Sequence, residues 1–227
     1  FPTTKKTRFV ARRERLKKLF EEYEMNDEKI EKNIESKILD YLNNNLDNYD
    51  LVIVQDYGHG LITENLIEVL IKKAKFLSIN AQINSGNFGY NIITKYHGAT
   101  YYCLDLPEAR MAVNSKYMEP EEIIAKLGEI TNAKFITITM GKNGSLSYSF
   151  PKGIVHSPSY GNKTIDTMSA GDAFFTLSLI SYYLTKSHIL SPFLGNLAAT
   201  LTVAVKGCIP IDKSKFLDTL DSYLKTK

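Results

Sequence analysis

Hydrophobic and polar residues follow two alternating patterns from residue 27 onward. Short apolar runs, typical of strands that are buried on both faces, occur at 49–54, 76–79, 100–104 and 135–139. Longer segments with apolar residues at helical spacing occur at 27–46, 63–74, 107–113 and 120–131. Repeated strand–helix units of this kind predict an α/β domain with a mostly parallel sheet and helices on its faces.

The remaining elements follow from the same patterns. Thr63 precedes a predicted helix and is a suitable N-cap. Residues 16–23 have a helical composition. Further elements are predicted as a short helix at 87–96, an edge hairpin at 144–150 and 154–156, and helices at 170–185, 190–206 and 213–225.

Composition limits the function classes. The chain has 227 residues, of which 44% are hydrophobic, and this is enough for one large domain with a substantial core. Its 28 basic and 25 acidic residues are too evenly balanced to indicate a nucleic-acid partner, and the basic stretch 5–18 is typical of a solvated edge. Cys103 and Cys208 form no metal or disulfide pattern, which fits a reducing cytoplasm. No apolar run is long enough to span a bilayer, so we expect no membrane partner.

The segment 166–172, Asp-Thr-Met-Ser-Ala-Gly-Asp, carries the strongest chemical signal. It opens the predicted helix at 170–185, and small residues there leave backbone N–H groups exposed at a helix N-terminus. Such an end attracts phosphate, and the carboxylate of Asp172 can take the proton of an alcohol that attacks this phosphate. The segment therefore predicts phosphoryl transfer to an alcohol. A simpler alternative is an ordinary helix start, with Ser169 as the cap and Asp172 favoured by the helix dipole.

The same seven residues resemble the Asp-Thr-x-Gly-Ala-Gly-Asp signature of the PfkB, or ribokinase-like, sugar kinases, with Ser169 in place of the first glycine. The resemblance covers about 48–210 and is nearest to the heptose-phosphate kinase branch. It implies a three-layer αβα fold, Asp172 as the general base, and an anion hole formed by the backbone of Ser169, Ala170 and Gly171. A side chain at position 169 restricts a positive φ, but serine is small and we expect it to be tolerated.

Two segments after predicted strands are candidates for the acceptor site, because open α/β sheets bind ligands at the carboxyl ends of their strands. Gln55–Gly60 resembles the Ser-Asp-Tyr-x-x-Gly segment of the heptose-phosphate kinases, which implies that Asp56 lies near the sugar or the metal. The segment 80–87 is rich in amides, which suit neutral hydroxyl groups, and Gln82 and Asn84 are the predicted contacts. The alternatives are a turn aspartate at position 56 and amides that serve the local loop.

Asp105 and Glu108 follow the predicted strand at 100–104. They resemble the family's Asn-x-x-Glu motif, with Asp105 in the asparagine position, and this implies that they help to hold Mg²⁺ and phosphates, mostly through water. Magnesium keeps several waters and uses few carboxylates, so a sparse acidic pair suits it. The alternative is a capping aspartate with a glutamate in the first helical turn.

The resemblance also implies where the nucleotide binds. Residues 139–144 resemble the family's Thr-x-Gly-x-x-Gly loop, although a turn between strands explains the glycines equally well. No P-loop sequence is present. Asp166 is implied at a site for a monovalent cation such as K⁺. The predicted nucleotide contacts are Thr139, Gly141, Gly144, Asn196 and Gly207.

These features predict an ATP- and Mg²⁺-dependent kinase of a sugar or sugar phosphate. The resemblance implies that 27–227 is the C-terminal part of a PfkB-type kinase domain, and that 1–26 contains antiparallel strands of a partial lid or a linker. Family members begin with a Gly-Gly-x-x-Asn segment that has no counterpart here. We therefore expect that the N-terminal part of the fold is missing and that the chain by itself is a poor catalyst.

Two other function classes stay open. One is a catalytically silent PfkB-like binding or regulatory module, and the other is a kinase of a heteroaromatic alcohol. The amide-rich segment 80–87 favours a polyol over a heteroaromatic ring. The resemblance also allows a homodimer and a nucleotidyltransferase domain fused to the kinase.

Overall fold

The computed structural model describes residues 3–12, 16–84, 86–161 and 164–225. The chain divides into two compact units. The first comprises Phe1–Met25, Gly141–Ser145 and Ser157–Lys227, and the second comprises Asn26–Met140 and Leu146–His156. The N-terminal residues therefore group with the C-terminal helices and not with the sheet.

Eight strands and seven α-helices lie within the described residues. The strands are β1 (Lys5–Arg12), β2 (Leu16–Glu24), β3 (Val52–Asp56), β4 (Leu77–Ala81), β5 (Tyr101–Asp105), β6 (Phe135–Thr139), β7 (Ser145–Ser149) and β8 (Gly153–Ser157). The helices are α1 (Lys32–Asn45), α2 (Glu64–Lys73), α3 (Leu106–Ala112), α4 (Pro120–Thr131), α5 (Ala170–Thr185), α6 (Leu190–Val203) and α7 (Lys213–Lys225). The bounds of α4, α5, α7 and β6 agree with the predicted ones, whereas α1 begins five residues later and α6 ends three residues earlier than predicted. No helix of the described chain is long and apolar enough to cross a membrane.

The second unit contains most of a six-stranded sheet in the order β3-β4-β5-β6-β7-β8. Strands β3 to β6 run parallel to their neighbours. The connections into β7 and β8 are only a few residues long, and such loops can join only antiparallel neighbours. The predicted mostly parallel sheet and its edge hairpin are therefore confirmed. Because the parallel strands point the same way, Asp56, Asp105 and Thr139 lie at one edge of the sheet.

A continuous core holds these strand ends in place. Ile79, Leu104 and Ile138 from three strands are buried and belong to one apolar cluster with Leu70 of α2 and Ile124 of α4. Burial of a large aliphatic side chain stabilises a fold by about 1.5–3 kcal/mol, so even a few of these side chains keep the strands in register. The polar loops at the carboxyl edge are consequently attached to a rigid base.

Strand β3 differs from the prediction that all the apolar runs are buried on both faces. It is the edge strand of the described sheet, and Ile53 is 48% exposed while Val54 is buried. An apolar run indicates a strand but does not give the strand's position in the sheet. The strand also begins at Val52 and not at Tyr49, because Leu46–Asn48 form a 3₁₀ turn closed by a hydrogen bond from Tyr49 N to Leu46 O.

The predicted helix at 87–96 is wrong, since only Ile93–Lys95 form a short 3₁₀ turn. The amide of Asn87 donates to the carbonyl oxygens of Tyr57 and Gln82, and the amide of Asn91 donates to those of Asp56 and Gln82. These bonds hold the segment in an irregular loop against the ends of β3 and β4. Asparagine often competes with helix formation in this way, by bonding to nearby backbone groups.

The first unit is built around the helix pair α5 and α6. Phe174 and Leu179 of α5 and Leu197 of α6 are buried. The two helices approach closely at Gly195, where a Cβ atom would lie only 2.8 Å from Phe174 Cε2 and from Ser178 Cβ. A glycine is required at this crossing because any side chain would push the two helices apart.

Strands β1 and β2 form a two-stranded antiparallel hairpin, so the strands predicted within 1–26 are confirmed. Phe9 lies opposite Phe20, and their rings stack with centroids 4.3 Å apart. The register shifts by one residue between Phe9 and Val10. Both phenylalanines are at least 40% exposed, so this hairpin has only a small apolar contact of its own.

Candidate active site

Helix α5 begins within the segment 166–172, for which the sequence predicts phosphoryl transfer. Its N-cap residue, Ser169, has φ 62° and ψ 3°, which is the left-handed conformation that favours glycine. The Ser169 side chain makes no capping hydrogen bond, and its hydroxyl donates to Cys208 Sγ at 2.8 Å instead. The alternative in which Ser169 caps the helix through its side chain is therefore wrong. A serine is accommodated in the conformation that the related motif assigns to glycine.

The backbone donors of this helix end are open. Ala173 N bonds to Ser169 O, and Ala170 N makes a long contact of 3.4 Å to Thr167 O. Among the described residues, none accepts a hydrogen bond from the N–H groups of Gly171 or Asp172. A Cβ atom added at Gly171 would meet no heavy atom within 4 Å. Two unpaired N–H groups beside open space can bind an anion, which the positive end of the helix dipole also attracts.

Asp172 lies in the first turn of α5 and is exposed. Its backbone oxygen accepts a hydrogen bond from Thr176 Oγ1 at 2.8 Å. Within the described residues, its carboxylate makes no hydrogen bond or ion pair. The carboxylate is thus available to a ligand and stands next to the two open N–H groups.

Asp166 fixes the loop that precedes this helix. Its side chain is 3% exposed, and its two carboxylate oxygens accept hydrogen bonds from Met168 N and Gly207 N, both at 3.0 Å. Ile165 N and Asp166 N both bond to Val203 O. This arrangement ties the motif to the end of α6, and it is a structural role. Cation binding at Asp166, which was implied by resemblance, stays a prediction.

Asn196 of α6 is buried and donates to Ser145 Oγ at 2.9 Å and to Ser157 O at 3.0 Å. It therefore joins α6 to two strand ends. Gly144 is required nearby for a tight turn, since it has φ 80° and an added Cβ would lie 2.1 Å from Ser157 O. Gly144 N donates to Gly141 O at 3.0 Å. These contacts agree with the plain-turn alternative, and nucleotide contacts at these residues stay predictions.

In the second unit, Asp105 ends β5 and is the N-cap of α3. Asp105 Oδ1 accepts from Glu108 N at 2.8 Å, and Glu108 Oε2 accepts from Asp105 N at 2.9 Å, so the two residues form a capping box. Glu108 Oε1 also accepts from Ile83 N at 3.0 Å. The capping alternative is therefore confirmed, and Glu108 in addition connects α3 to the loop after β4.

The electrostatics of this pair are unusual. Although Asp105 as a whole residue is exposed, protein atoms crowd the two carboxyl groups and reduce their hydration. This loss of hydration raises the pKa of Asp105. The same loss of hydration, reinforced by the negative charge of Asp105, raises the pKa of Glu108 to about 7. A nearby cation would relieve the repulsion between the two carboxylates.

The donor set fits a hydrated Mg²⁺ better than a directly caged one. Both Glu108 oxygens and one Asp105 oxygen already accept backbone N–H groups, which leaves Asp105 Oδ2 as the open oxygen. The described residues contain no group of three or more His, Cys, Asp or Glu side chains able to hold a metal. Magnesium that keeps most of its waters needs only one or two carboxylates, so the pair suits a water-mediated role.

Asp56, at the end of β3, is buried, and both of its carboxylate oxygens have partners. Its Oδ2 accepts from the Tyr96 hydroxyl at 2.8 Å and lies 2.5 Å from Lys95 Nζ, while Oδ1 accepts from Gly58 N at 2.8 Å. Burial and the Asp56 charge raise the pKa of Tyr96, so its hydroxyl remains a proton donor. The bond to Gly58 N agrees with the turn-aspartate alternative. Contact between Asp56 and a substrate stays a prediction.

The amide-rich segment after β4 mainly organises itself. Asn84 Oδ1 accepts from Gly86 N and Asn87 N, and its Nδ2 donates to Tyr57 O. Gln82 contributes its backbone groups, donating to Asp56 O and accepting from Asn87 and Asn91. The local-loop alternative therefore explains the hydrogen bonds of Asn84, and sugar contacts of Gln82 and Asn84 stay predictions.

One residue near the motif was missed at the level of sequence. Arg8 of β1 places Nη1 3.6 Å from Met168 Sδ, directly beside the segment 166–172. The sequence indicated only that 5–18 is basic. No sequence signal connects two positions that are 160 residues apart, so only the folded chain reveals this contact.

A mostly parallel sheet with carboxylates at its carboxyl edge, and a helix start with open N–H donors and an exposed aspartate, form an arrangement that suits phosphoryl transfer. The family profile described as pfkB family carbohydrate kinase matches residues 3–214. The chain belongs to this family.

Bacterial relatives match nearly the whole length of this chain. A bifunctional protein HldE of Desulfatibacillum aliphaticivorans is 28% identical over 218 residues, which are 94% of this chain and 43% of the relative. A bifunctional protein HldE of Geobacter sulfurreducens is 25% identical over 221 residues, which are 96% of this chain and 44% of the relative. The chain therefore spans less than half the length of these relatives.

Solved structures confirm the fold class. Phosphofructokinase-2 from Escherichia coli, in complex with potassium, matches with a TM-score of 0.72 and 12% identity, over 87% of this chain and 64% of that one. Ribokinase from Arabidopsis thaliana, complexed with ribose and ATP, matches with a TM-score of 0.64 and 19% identity, over 80% of this chain and 58% of that one. The predicted αβα ribokinase-like fold is confirmed by these similarities.

Proposed function

We propose that this chain provides the catalytic part of an ATP-dependent kinase that phosphorylates a hydroxyl group of a sugar or sugar phosphate. The observation that carries the proposal is the start of α5, where a free carboxylate adjoins two unpaired backbone N–H groups and open space. Family membership supports the same reaction class. The relatives named HldE, together with the ribokinase bound to ribose and ATP, support a carbohydrate acceptor and ATP as the donor.

In this mechanism Asp172 accepts the proton of the acceptor hydroxyl as its oxygen attacks phosphorus. General-base catalysis of this kind contributes about 10²–10⁴-fold to a rate. The N–H groups of Gly171 and Asp172 stabilise the negative charge on the phosphoryl group during transfer, because they are fixed in position before the reaction. Phosphoryl transfer depends mainly on positioning and charge stabilisation, so these few groups are sufficient.

Asp105 and Glu108 are the proposed Mg²⁺ residues, and the ion would neutralise phosphate charge when bound. Asp105 Oδ2 is the oxygen open to a metal-bound water, while Glu108 orients Asp105 through the capping box. A homodimer, a fused nucleotidyltransferase domain, a cytoplasmic location and a K⁺ requirement stay predictions. The name "bifunctional" carried by the relatives supports the prediction of a second, fused activity.

The substitution Asp172→Asn tests the proposal in the full-length protein. We expect ATP-dependent phosphorylation of a sugar panel to fall by about 10²–10⁴-fold, while folding is unchanged because the side chain is exposed. The measurement is ADP formation with each acceptor. Asp221→Asn, on the exposed side of α7 in the same unit, is the matched control and should retain full activity. Equal turnover of Asp172→Asn and the wild type would refute Asp172 as the base, and an inactive wild type would favour the silent binding module.

A further inference from the structure

Lys95 connects a buried carboxylate to the amide-rich loop after β4. Its Nζ lies 2.5 Å from Asp56 Oδ2 and 2.6 Å from Asn91 Oδ1. The Asp56 side chain is 4% exposed and the Lys95 side chain is 32% exposed, so water and salt screen this ion pair only weakly. Loss of Lys95 would leave the Asp56 charge buried without this partner, which is costly, and the pair is therefore strongly coupled.

The ammonium group of Lys95 also sets the orientation of the Asn91 amide. An ammonium group can only donate, so the side-chain oxygen of Asn91 must face it and the NH₂ group must point elsewhere. That NH₂ group donates to Asp56 O at 2.9 Å and to Gln82 O at 3.0 Å. Asn91 is 2% exposed, so water has little access to these groups. Lys95 therefore determines how the loop after β4 is attached to the end of β3.

The backbone of Gln82 is held in place while its side chain is free. Its N–H donates to Asp56 O at 2.8 Å, and its carbonyl oxygen accepts from the amides of Asn91 and Asn87. The Gln82 side-chain amide makes no hydrogen bond to any residue that the structure describes, and the residue is partly exposed. Asn84, by contrast, uses its side-chain amide within the loop. Gln82 is thus the preorganised ligand contact of this segment, because its backbone needs no further ordering on binding.

The loop that carries Gln82 also contacts the proposed metal residues. Ile83 N, one peptide bond beyond Gln82, donates to Glu108 Oε1 at 3.0 Å. Glu108 in turn forms the capping box with Asp105. Gln82 is consequently fixed next to a residue that touches the acidic pair of the proposed function.

We propose that Lys95 is a positioning residue for the acceptor. Through Asp56 and Asn91 it fixes the loop after β4, and the side-chain amide of Gln82 then binds hydroxyl groups of the sugar. An amide suits neutral hydroxyl groups because it can both donate and accept a hydrogen bond. This inference rests on the proposed kinase function and adds Lys95, for which the sequence predicts no role.

The test is a double-mutant cycle between Lys95→Met and Gln82→Ala in the full-length protein, with ATP, Mg²⁺ and the sugar or sugar monophosphate that the wild type turns over fastest. Each single substitution should raise the acceptor KM by about 3- to 10-fold, the range for one lost hydrogen bond, while kcat and the KM for ATP stay close to the wild-type values. Because Lys95 acts through Gln82, the double variant should have the acceptor KM of Gln82→Ala. Lys95→Arg keeps a cationic donor and should recover part of the loss.

Two matched variants separate positioning from charge and from stability. Lys72 and Lys95 line the same cleft of about 440 Å³ beside α2, so Lys72→Met removes the same charge nearby and should match the wild type. Tyr96→Phe removes the hydroxyl that donates to Asp56 Oδ2 at 2.8 Å but leaves the bond from Lys95 to Asn91. It should lower the thermal unfolding midpoint without raising the acceptor KM.

Three outcomes would overturn the inference. They are an unchanged acceptor KM in Lys95→Met, effects of Lys95→Met and Gln82→Ala that multiply in the double variant, and a rise of the acceptor KM in Tyr96→Phe or Lys72→Met as large as that in Lys95→Met. Failure of the kinase proposal itself is recognised separately, because Asp172→Asn would then leave turnover unchanged.

Amide hydrogen exchange keeps the inference testable when no acceptor in the panel turns over. Lys95→Met should speed exchange in the segment 82–91, including the N–H of Gln82, while exchange in β6 is unchanged. Equal exchange of 82–91 in this variant and the wild type refutes the inference. If Lys95→Met does not fold, Lys95→Met combined with Asp56→Asn replaces it in both experiments, because this pair leaves no buried charge without a partner.

Discussion

The start of α5 must be stable and must also leave its N–H groups accessible to phosphate. A substitution at Gly171 distinguishes these two requirements. Its added Cβ would meet open space, so Gly171→Ala should fold as well as the wild type or gain about 0.5–1 kcal/mol, since alanine is the better helix former. The methyl group would, however, occupy the space beside the open N–H groups. We therefore expect ADP formation to fall at least tenfold, while the free energy of unfolding in urea does not decrease.

Gly195→Ala supplies the opposite control. The same methyl group there would lie 2.8 Å from Phe174 and Ser178, so overpacking should cost about 1–3 kcal/mol of stability. Any loss of activity in that variant should follow its unfolding. If Gly171→Ala keeps full turnover, no phosphate approaches this helix start.

Single residues also show the limit of sequence reasoning. The pattern 166–172 located the helix start and its aspartate correctly, because small residues followed by an apolar run are a local signal. It also predicted that serine would be tolerated at position 169, where the backbone is left-handed. The bond from Ser169 to Cys208 and the contact of Arg8 with Met168 join residues far apart in sequence. Such contacts depend on the folded topology and produce no periodic pattern in the sequence.

Several helices and the inner strand β6 were predicted better than the irregular loop after β4 and the N-terminal hairpin. Helices α4 and α5 and strand β6 have long or strongly apolar patterns, and their bounds were correct. The helix predicted at 87–96 is wrong because asparagine side-chain amides donate to backbone oxygens at and just after the end of β3. These contacts are tertiary, so the local spacing of apolar residues does not predict them. The hairpin β1–β2 was resolved by family resemblance and not by its own pattern, since 16–23 has a helical composition.

That hairpin should depend on Glu21 in a pH-dependent manner. Burial raises the pKa of Glu21, but Arg8, Tyr23, Lys18 and Lys6 lower it more strongly, to about 2. Since the folded pKa lies below the ordinary value of 4.5, the stabilisation is present above pH 4.5 and is lost as the pH falls toward 2. Glu21→Gln should therefore speed amide hydrogen exchange in β1 and β2 at pH 6, and this difference from the wild type should shrink between pH 4.5 and 3.

Glu22→Gln is the matched control, because Glu22 is exposed and pairs with no cation among the described residues. Exchange in the hairpin should be the same in Glu22→Gln and the wild type at each pH. A hairpin that exchanges equally fast in all three proteins at pH 6 would show that the ion cluster does not stabilise it.

For the molecule as a whole, nucleotide binding can be measured through its effect on the free energy of unfolding. A ligand that binds only the folded chain at about 100 times its Kd stabilises it by about 2.7 kcal/mol. We expect ATP with Mg²⁺ to raise the free energy of unfolding, and chelation of the metal to remove most of that gain. Glu108→Gln should lose this Mg²⁺-dependent part, because the acidic pair then has one negative charge fewer to attract the hydrated ion.

A second helix provides a control for the effect of a Glu→Gln substitution on the stability of α3. Helix α4 has the same capping box, formed by Glu119 and Glu122, but it does not begin at the carboxyl end of a strand. Glutamine can still close a capping box, so Glu122→Gln and Glu108→Gln should have similar stability without ligand. Only Glu108→Gln should then lose the metal-dependent gain with ATP. If both variants keep it, the ion is held by other groups and the pair at the end of β5 serves only to begin its helix.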